Sequence, residues 1–338
     1  MKKQLFYILF TVCFLLGGMT SYSQDPNYSQ FFVSPLTISP ALAGKSDAKL
    51  EANSIYRKQS FGAGVNYNTK LISVDGRLFE NYDNNNTSFL GVGAMFLSDD
   101  AMAGIYKNTF FSLNSSYHVT LDKYQDHSHS LTAGLGFTYN KINIDYASLN
   151  TSEQLYLFGF DRTLPTGEAN FRDMPATTST SAGLLYSFAT DTKVIDVGIS
   201  GYKFYKNKIS VFGDGTQSVT PRYNAHVNYS KFIDNKTLLF LKGYYQIQEG
   251  NSYFIAGGHV EYSINEIYQD FQESFNIGLY YRLKNAIIPY VGFTYNQLQF
   301  GFSYDVQVNQ IKNASIRPNT FELSMVFKKQ KKWWNPLL

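Results

Sequence analysis

The chain alternates. From Leu298 to Val308, the residues Leu298, Phe300, Phe302, Tyr304, Val306 and Val308 take turns with Gln299, Gly301, Ser303, Asp305 and Gln307. A period of two marks a strand with one apolar and one polar face. The run before it repeats the arrangement, with Val291, Phe293 and Tyr295 against Gly292, Thr294 and Asn296. Ile277, Leu279, Tyr281 and Leu283 alternate with Asn276, Gly278, Tyr280 and Arg282. Earlier, Leu131, Ala133, Leu135, Phe137 and Tyr139 alternate with Thr132, Gly134, Gly136, Thr138 and Asn140. Phe111, Leu113, Tyr117 and Val119 do so with Ser112, Asn114, Ser116 and His118. The last run sets Phe321, Leu323, Met325 and Phe327 against Glu322, Ser324 and Lys328, with Val326 the exception.

Taken together, such stretches predict about fourteen strands of roughly ten residues, the length that crosses a bilayer on a tilt. They fall at 48–58, 66–80, 87–99, 106–122, 129–143, 177–189, 193–204, 220–234, 236–249, 252–266, 271–284, 286–296, 298–309 and 317–328. About eight strands already close a barrel that side chains can fill, so a ring of about fourteen cannot pack its interior with Val, Leu and Phe. The apolar faces are therefore predicted to meet lipid, while Gly, Ser, Thr, Asn, Gln and a few charges line a wet lumen. A soluble barrel or sandwich needs the reverse arrangement. The predicted fold is all-β, a transmembrane antiparallel β-barrel with both termini periplasmic. The turns at 189–192, Asp234-Asn235 and Asn296-Gln297 are then periplasmic, and the long connections 144–176 and 206–219 face the cell surface.

Composition sharpens this reading. Aromatic residues make up 17% of the 338 residues, with 27 Tyr and 28 Phe, against only 16% charged. After the start of the chain no run approaches the roughly 20 apolar residues of a membrane helix, which leaves strands as the way across. The net charge is only +3, and Lys2 and Lys3 of it lie in the leader, which argues against a nucleic-acid partner. Lys2 and Lys3, the apolar run Leu5 to Met19, and Ser21 and Ser23 ahead of Gln24 predict a cleaved signal peptide over 1–23. Cys13, the single cysteine, lies inside that run, so neither a disulfide nor a lipid attachment is expected. Beyond it, 24–47 is rich in Pro, Ser and aromatics and lacks alternation; it is expected on the periplasmic side or as a plug in the lumen. The barrel occupies 48–328, and 329–338, with Lys331, Lys332, Trp333 and Trp334, forms a basic, aromatic interfacial tail.

Candidate chemistry is sparse. None of the five histidines has metal-ligand spacing to a second His or Cys, so no metal and no cofactor is expected. Ser116 and His118 share the inward face, but without a nameable orienting group they read as lumen polar residues rather than as a hydrolase dyad. No catalytic residue is assigned. Gly91-Val92-Gly93 sits in a strand with no helix after it, so it is not a phosphate loop; glycine there permits close approach at a curved wall. Leu155, Tyr156, Leu157, Phe158 and Phe160 place a dense apolar cluster in the long outer connection, where lipid does not reach. Such a cluster marks either a partner-binding surface or a loop packed on itself.

The segment after the leader reads Gln24-Asp25-Pro26-Asn27-Tyr28-Ser29-Gln30-Phe31, then Ser34-Pro35 and Ser39-Pro40-Ala41-Leu42-Ala43-Gly44. With Tyr56-Arg57 and Gln59, Ser73-Val74-Asp75, Gly91-Val92-Gly93 and Phe321-Glu322-Leu323-Ser324, it resembles the PorP/SprF-like type IX secretion system membrane proteins. The chain departs from that family at Ser39, where Asn is usual, and at Ser60-Phe61, where an aromatic commonly follows Gln. The resemblance implies an outer-membrane barrel that helps a secreted client, often a large adhesin of the kind used in gliding motility, to reach or stay on the cell surface. It would engage the client's C-terminal domain beside other type IX components. A solute channel is the alternative.

Overall fold

The computed structural model describes residues 25–46, 48–61, 65–82, 87–123, 126–156, 159–167, 174–204, 208–209, 217–218, 220–264, 273–308 and 319–329. The predicted leader and residues 330–338 of the predicted tail lie outside them, while Lys329 ends the last strand. Fourteen strands close one barrel. They are β1 Leu50–Phe61, β2 Val65–Tyr82, β3 Thr87–Ala101, β4 Tyr106–Lys123, β5 His127–Ile144, β6 Thr177–Thr190 and β7 Lys193–Tyr202. The second half comprises β8 Arg222–Phe232, β9 Thr237–Gln248, β10 Asn251–Ser263, β11 Glu273–Arg282, β12 Ala286–Tyr295, β13 Leu298–Gln307 and β14 Asn319–Lys329. Each pairs antiparallel with its neighbours in sequence. The ring closes where β1 meets β14, in register from Leu50 opposite Lys329 to Ser60 opposite Asn319.

All fourteen predicted spans are present, with ends displaced by a few residues. Two short ladders were not predicted: Leu155–Tyr156 with Gly159–Phe160, and Lys208–Ile209 with Gln217–Ser218, both in the long connections. The two barrel ends differ. One, the strand-terminal end, carries the start of β1, the end of β14 and tight turns such as Asn296-Gln297. The other carries the long connections, beside tight turns such as Glu249-Gly250, whose φ angles of 52° and 79° suit a two-residue hairpin.

Alternation decides which side chains face out. Phe111, Leu113, Tyr117, Leu135, Phe137, Ile277, Leu279, Phe300 and Phe302 are exposed on the outer wall. Their neighbours Ser112, Asn114, Ser116, His118, Thr132, Asn276, Ser303 and Asp305 are buried inside. A continuous outer surface of this kind is stable against hydrocarbon and not against water.

The expectation of a wholly polar, wet lumen is corrected. Ile55, Leu71, Leu185, Tyr244, Ile255, Tyr280, Ile288, Tyr290 and Val326 also point inward and are buried. They pack on Tyr28, Phe31, Val33, Leu36, Ile38, Ala41 and Leu42 of the N-terminal segment. A ring this wide cannot fill itself with side chains, but it can be filled by backbone supplied from elsewhere in the chain.

Candidate functional site

Residues 25–46 run the length of the lumen. Asp25 stands at the long-connection end, where its carboxylate meets the Lys203 ammonium and, at 3.1 Å, Arg222 Nη1. Burial pushes the Asp25 carboxyl up, but the charges of Lys203 and Arg222 and the Lys203 hydrogen bond outweigh it and hold the group below the usual carboxylate range. Pro26 shares a small recess with Thr37, Phe110 and Tyr202.

Below this lies a lattice of buried charge. Glu322 accepts the Ser29 and Gln30 backbone N–H groups at 2.7 and 2.8 Å and pairs with Arg57 at 3.2 Å. Arg57 also donates to the Asn27 carbonyl. Arg282 donates to Ser29 Oγ at 2.6 Å and pairs with Asp305 at 2.8 Å, while Ser29 Oγ donates to the other Asp305 oxygen at 2.6 Å. The Gln30 amide donates to the Glu322 carbonyl at 3.0 Å and accepts from Ser324 Oγ at 2.6 Å. Two cations and two carboxylates thus hold one turn of backbone, the arrangement that makes buried charge tolerable.

Aromatic packing follows. Phe31 stacks on Tyr244 and meets the edge of Tyr280, with ring centroids 5.8 and 5.9 Å apart. Phe32 lies 5.3 Å from Tyr280 and 5.2 Å from Tyr290. Pairs at such distances are worth about 0.5–1.5 kcal/mol each beyond the area they bury.

Three one-turn helices then fold the chain back and forth: Phe31–Val33, Pro35–Ile38 and Pro40–Leu42. Pro35 and Pro40 each open a helix, where the missing N–H costs nothing. Ser39 Oγ accepts the Ala41 N–H. The carbonyls these turns leave open are taken by the wall. Tyr202 OH donates to Leu36 at 2.9 Å, Arg222 to Thr37 at 3.0 Å, and Ser200 and Asn224 to Ile38 at 2.6 and 2.8 Å.

The path ends against glycines. A Cβ built on Gly134 would stand 2.3 Å from the Ala41 nitrogen, one on Gly183 2.3 Å from Ser39 Oγ, and one on Gly91 2.0 Å from the Ala43 oxygen. Only a hydrogen in place of Cβ lets the segment lie this close to the wall. Gly44, at φ +64°, turns the chain beside Gly76, and its N–H donates to Asp75 at 2.8 Å. Arg77 donates to the Gly44 and Lys45 carbonyls, and Lys45 pairs with Asp196 at 3.2 Å. The segment then joins β1 at the strand-terminal end.

Ser116 and His118 also serve this segment. Ser116 Oγ donates to the Ala43 carbonyl at 2.7 Å, and His118 Nε2 lies 2.9 Å from the same oxygen. A carbonyl accepts only, so Nε2 carries the proton and Nδ1 accepts from Thr132 Oγ1 at 2.8 Å. In that tautomer the nitrogen next to Ser116 has no lone pair with which to take the serine proton.

Asp25, Pro26, Ser29, Gln30, Phe31, Pro35, Pro40, Ala41 and Gly44 are therefore brought together inside the barrel. Asp25 stands at the long-connection end, whereas the start of the first strand and Lys329 stand together at the other. Leu155, Tyr156 and Phe160 are elsewhere, in the connection between β5 and β6. They are 61%, 62% and 53% exposed on a two-residue ladder, braced by the Gln154 amide on the Leu164 carbonyl at 3.0 Å. Leu157 and Phe158 lie outside the described residues. Sequence reasoning named Arg57 and Glu322 only as marks of the resemblance and Arg282 and Asp305 only as polar positions of alternating strands, and gave none of them a role. The available signal was charge on the inward face of spanning strands, which persists only where it is paired.

Among solved structures the chain is similar to the toluene transporter TbuX of Ralstonia pickettii, at 9% identity and a TM-score of 0.45, covering 86% of this chain and 92% of that one. It is likewise similar to a Pseudomonas aeruginosa FadL homologue, at 11% identity and a TM-score of 0.43, covering 83% and 89%. No curated protein matches. The model of the family described as type IX secretion system membrane protein PorP/SprF matches residues 20–327, nearly the whole chain, and this outer-membrane barrel belongs to that family.

Proposed function

We propose that this barrel holds a secreted client, an adhesin engaged through its C-terminal domain, at its long-connection face for export or surface attachment. The face is read as the cell-surface side because short turns of outer-membrane barrels are periplasmic and long connections are not. One observation carries the reading: the lumen is occupied from end to end by the chain's own N-terminal segment, which leaves the rim as the surface for a partner. The exposed apolar side chains of Leu155, Tyr156 and Phe160 supply a patch there of the kind that marks contact surfaces.

The test is capture of clients from detergent extracts by the wild-type barrel and by a Leu155→Ser, Tyr156→Ser, Phe160→Ser variant. Loss of a client with the barrel still folded is expected; unchanged capture refutes the assignment of the patch. A solute channel makes the opposite demand. A large, steady, client-independent conductance from the wild-type barrel in planar bilayers would favour transport over client holding.

A further inference from the structure

Asp25 is held differently from every other part of the luminal segment. Its two carboxylate oxygens are gripped by two separate cations, Lys203 on one and Arg222 on the other. Its backbone offers little else: the N–H reaches Gln248 Oε1 only at 3.5 Å, and Pro26, next in line, has no N–H to give. Arg222, by contrast, keeps other partners. The Arg222 guanidinium lies 4.2 Å over the Tyr202 ring and donates to the Thr37 carbonyl at 3.0 Å. Lys203 lies 5.8 Å from the Phe110 ring and is itself held at φ +62°, a left-handed conformation that costs energy for any residue but glycine. Two positive charges facing one negative make a cradle that stays cationic when Asp25 leaves it.

We infer that Lys203 and Arg222 form a carboxylate-binding site at the long-connection mouth, which Asp25 fills as an internal ligand and which the carboxylate of a docked peptide can take over. Displacement frees the head of the luminal segment, from Asp25 to the Arg57–Asn27 contact, while the Glu322 lattice keeps the remainder seated. Lys203 is also the first residue of the connection between β7 and β8, so the site joins that connection directly to the luminal segment. Takeover by a partner rests on the docking reading above; the site itself does not, and its test needs no partner.

The experiment uses purified barrel in detergent with Cys13→Ser and a reporter Pro26→Cys, labelled by a charged maleimide. Asp25→Ala is expected to speed labelling about tenfold, what the loss of one buried charge-assisted hydrogen bond is worth. Sodium acetate, exchanged for chloride at constant ionic strength, is expected to leave that faster rate unchanged, because the head of the segment is already free, and to have no effect on a Lys203→Gln, Arg222→Gln variant either. With Asp25 present, acetate should instead speed labelling, by competition. Asp25→Asn provides a near-isosteric second variant, and the heat-dependent gel mobility of the barrel verifies folding. Equal labelling in both Asp25 variants and wild type, or acetate acting no differently from chloride on the wild type, overturns the inference.

Discussion

Gly134 and Gly136 are two residues apart on β5, both face inward, and their substitution by alanine should have different consequences. A Cβ on Gly134 meets the Ala41 nitrogen at 2.3 Å and both Ala41 Cα and the Pro40 carbonyl carbon at 2.5 Å, all backbone of the luminal segment. Restoring ordinary contact requires a shift of about 1 Å in backbone that neighbouring hydrogen bonds hold on both sides. Overpacking of this kind costs roughly 1–3 kcal/mol. Each flanking bond broken to relieve it, such as Ser200 or Asn224 to the Ile38 carbonyl, adds about 1 kcal/mol. A Cβ on Gly136 comes equally close, 2.3 Å from Ser181 Oγ and 2.5 Å from Asn114 Oδ1, but these are side-chain ends that can rotate away, so less than about 1 kcal/mol is expected. The assay is the temperature at which the folded barrel loses its fast gel mobility, read beside single-channel conductance. Gly134→Ala should melt earlier and show transient openings that Gly136→Ala lacks. If Gly134→Ala is tolerated as well as Gly136→Ala, the luminal segment does not lie where the geometry puts it.

Three further outcomes are expected. Glu322→Gln leaves Arg57 buried without a full counter-charge and should cost about 3–5 kcal/mol, whereas Arg57→Leu with Glu322→Leu should cost less than either leucine change alone; thermal melting of the wild type, the three single variants and the double variant decides. Tyr202→Phe removes the donor to the buried Leu36 carbonyl and should cost about 1–3 kcal/mol with conductance unchanged, measured by the same melt and bilayer recordings. The Asp25 carboxyl is held below its ordinary value of 3.8, so its contribution is present above that value and is lost as pH falls through the depressed one. Labelling at Pro26→Cys, extrapolated for thiolate fraction, should therefore be pH-independent from neutrality down to the ordinary carboxylate range and rise only below it.

The barrel was legible because a half-lipid, half-lumen wall imposes strict alternation, and alternation survives in runs such as Leu298–Val308. What alternation could not convey was the contents of the lumen. Size alone says that fourteen strands leave a wide interior; it does not say that residues 25–46 fill it. The clues were local exceptions. Val326 broke the pattern of the last strand because it belongs to the apolar cluster with Val33 and lines one recess with Phe32 and Val33. Tyr280 stood among polar residues on the inward face because Phe31 and Phe32 lie against it. Gly91, read as a wall glycine allowing close approach, is one, and Ala43 is what approaches. Lys203 and Arg222 gave no signal, since their meaning depends on Asp25 reaching the far end of the barrel. That could not be inferred from a segment without periodicity.

The inward exceptions argue for how the molecule is put together. Ile255, Ile288, Leu71 and Leu185 are fully buried only because the luminal segment covers them. In an empty barrel they would face water, at roughly 1.5–3 kcal/mol for each large aliphatic side chain. The Glu322–Arg57 and Arg282–Asp305 pairs would lose the Ser29 and Gln30 groups they bind, and Gly91, Gly134 and Gly183 would be bare gaps in the wall. The segment also enters at the opposite end from the strand it joins, so it cannot be inserted from the side where β1 begins without passing through the ring. A wall whose interior matches one backbone, and a backbone that must thread that wall, are most simply reached together: the strands close around the segment. A barrel expressed without residues 25–44 should accordingly fail to reach the folded, fast-migrating form, and its folding in normal yield would show that the wall needs no such core.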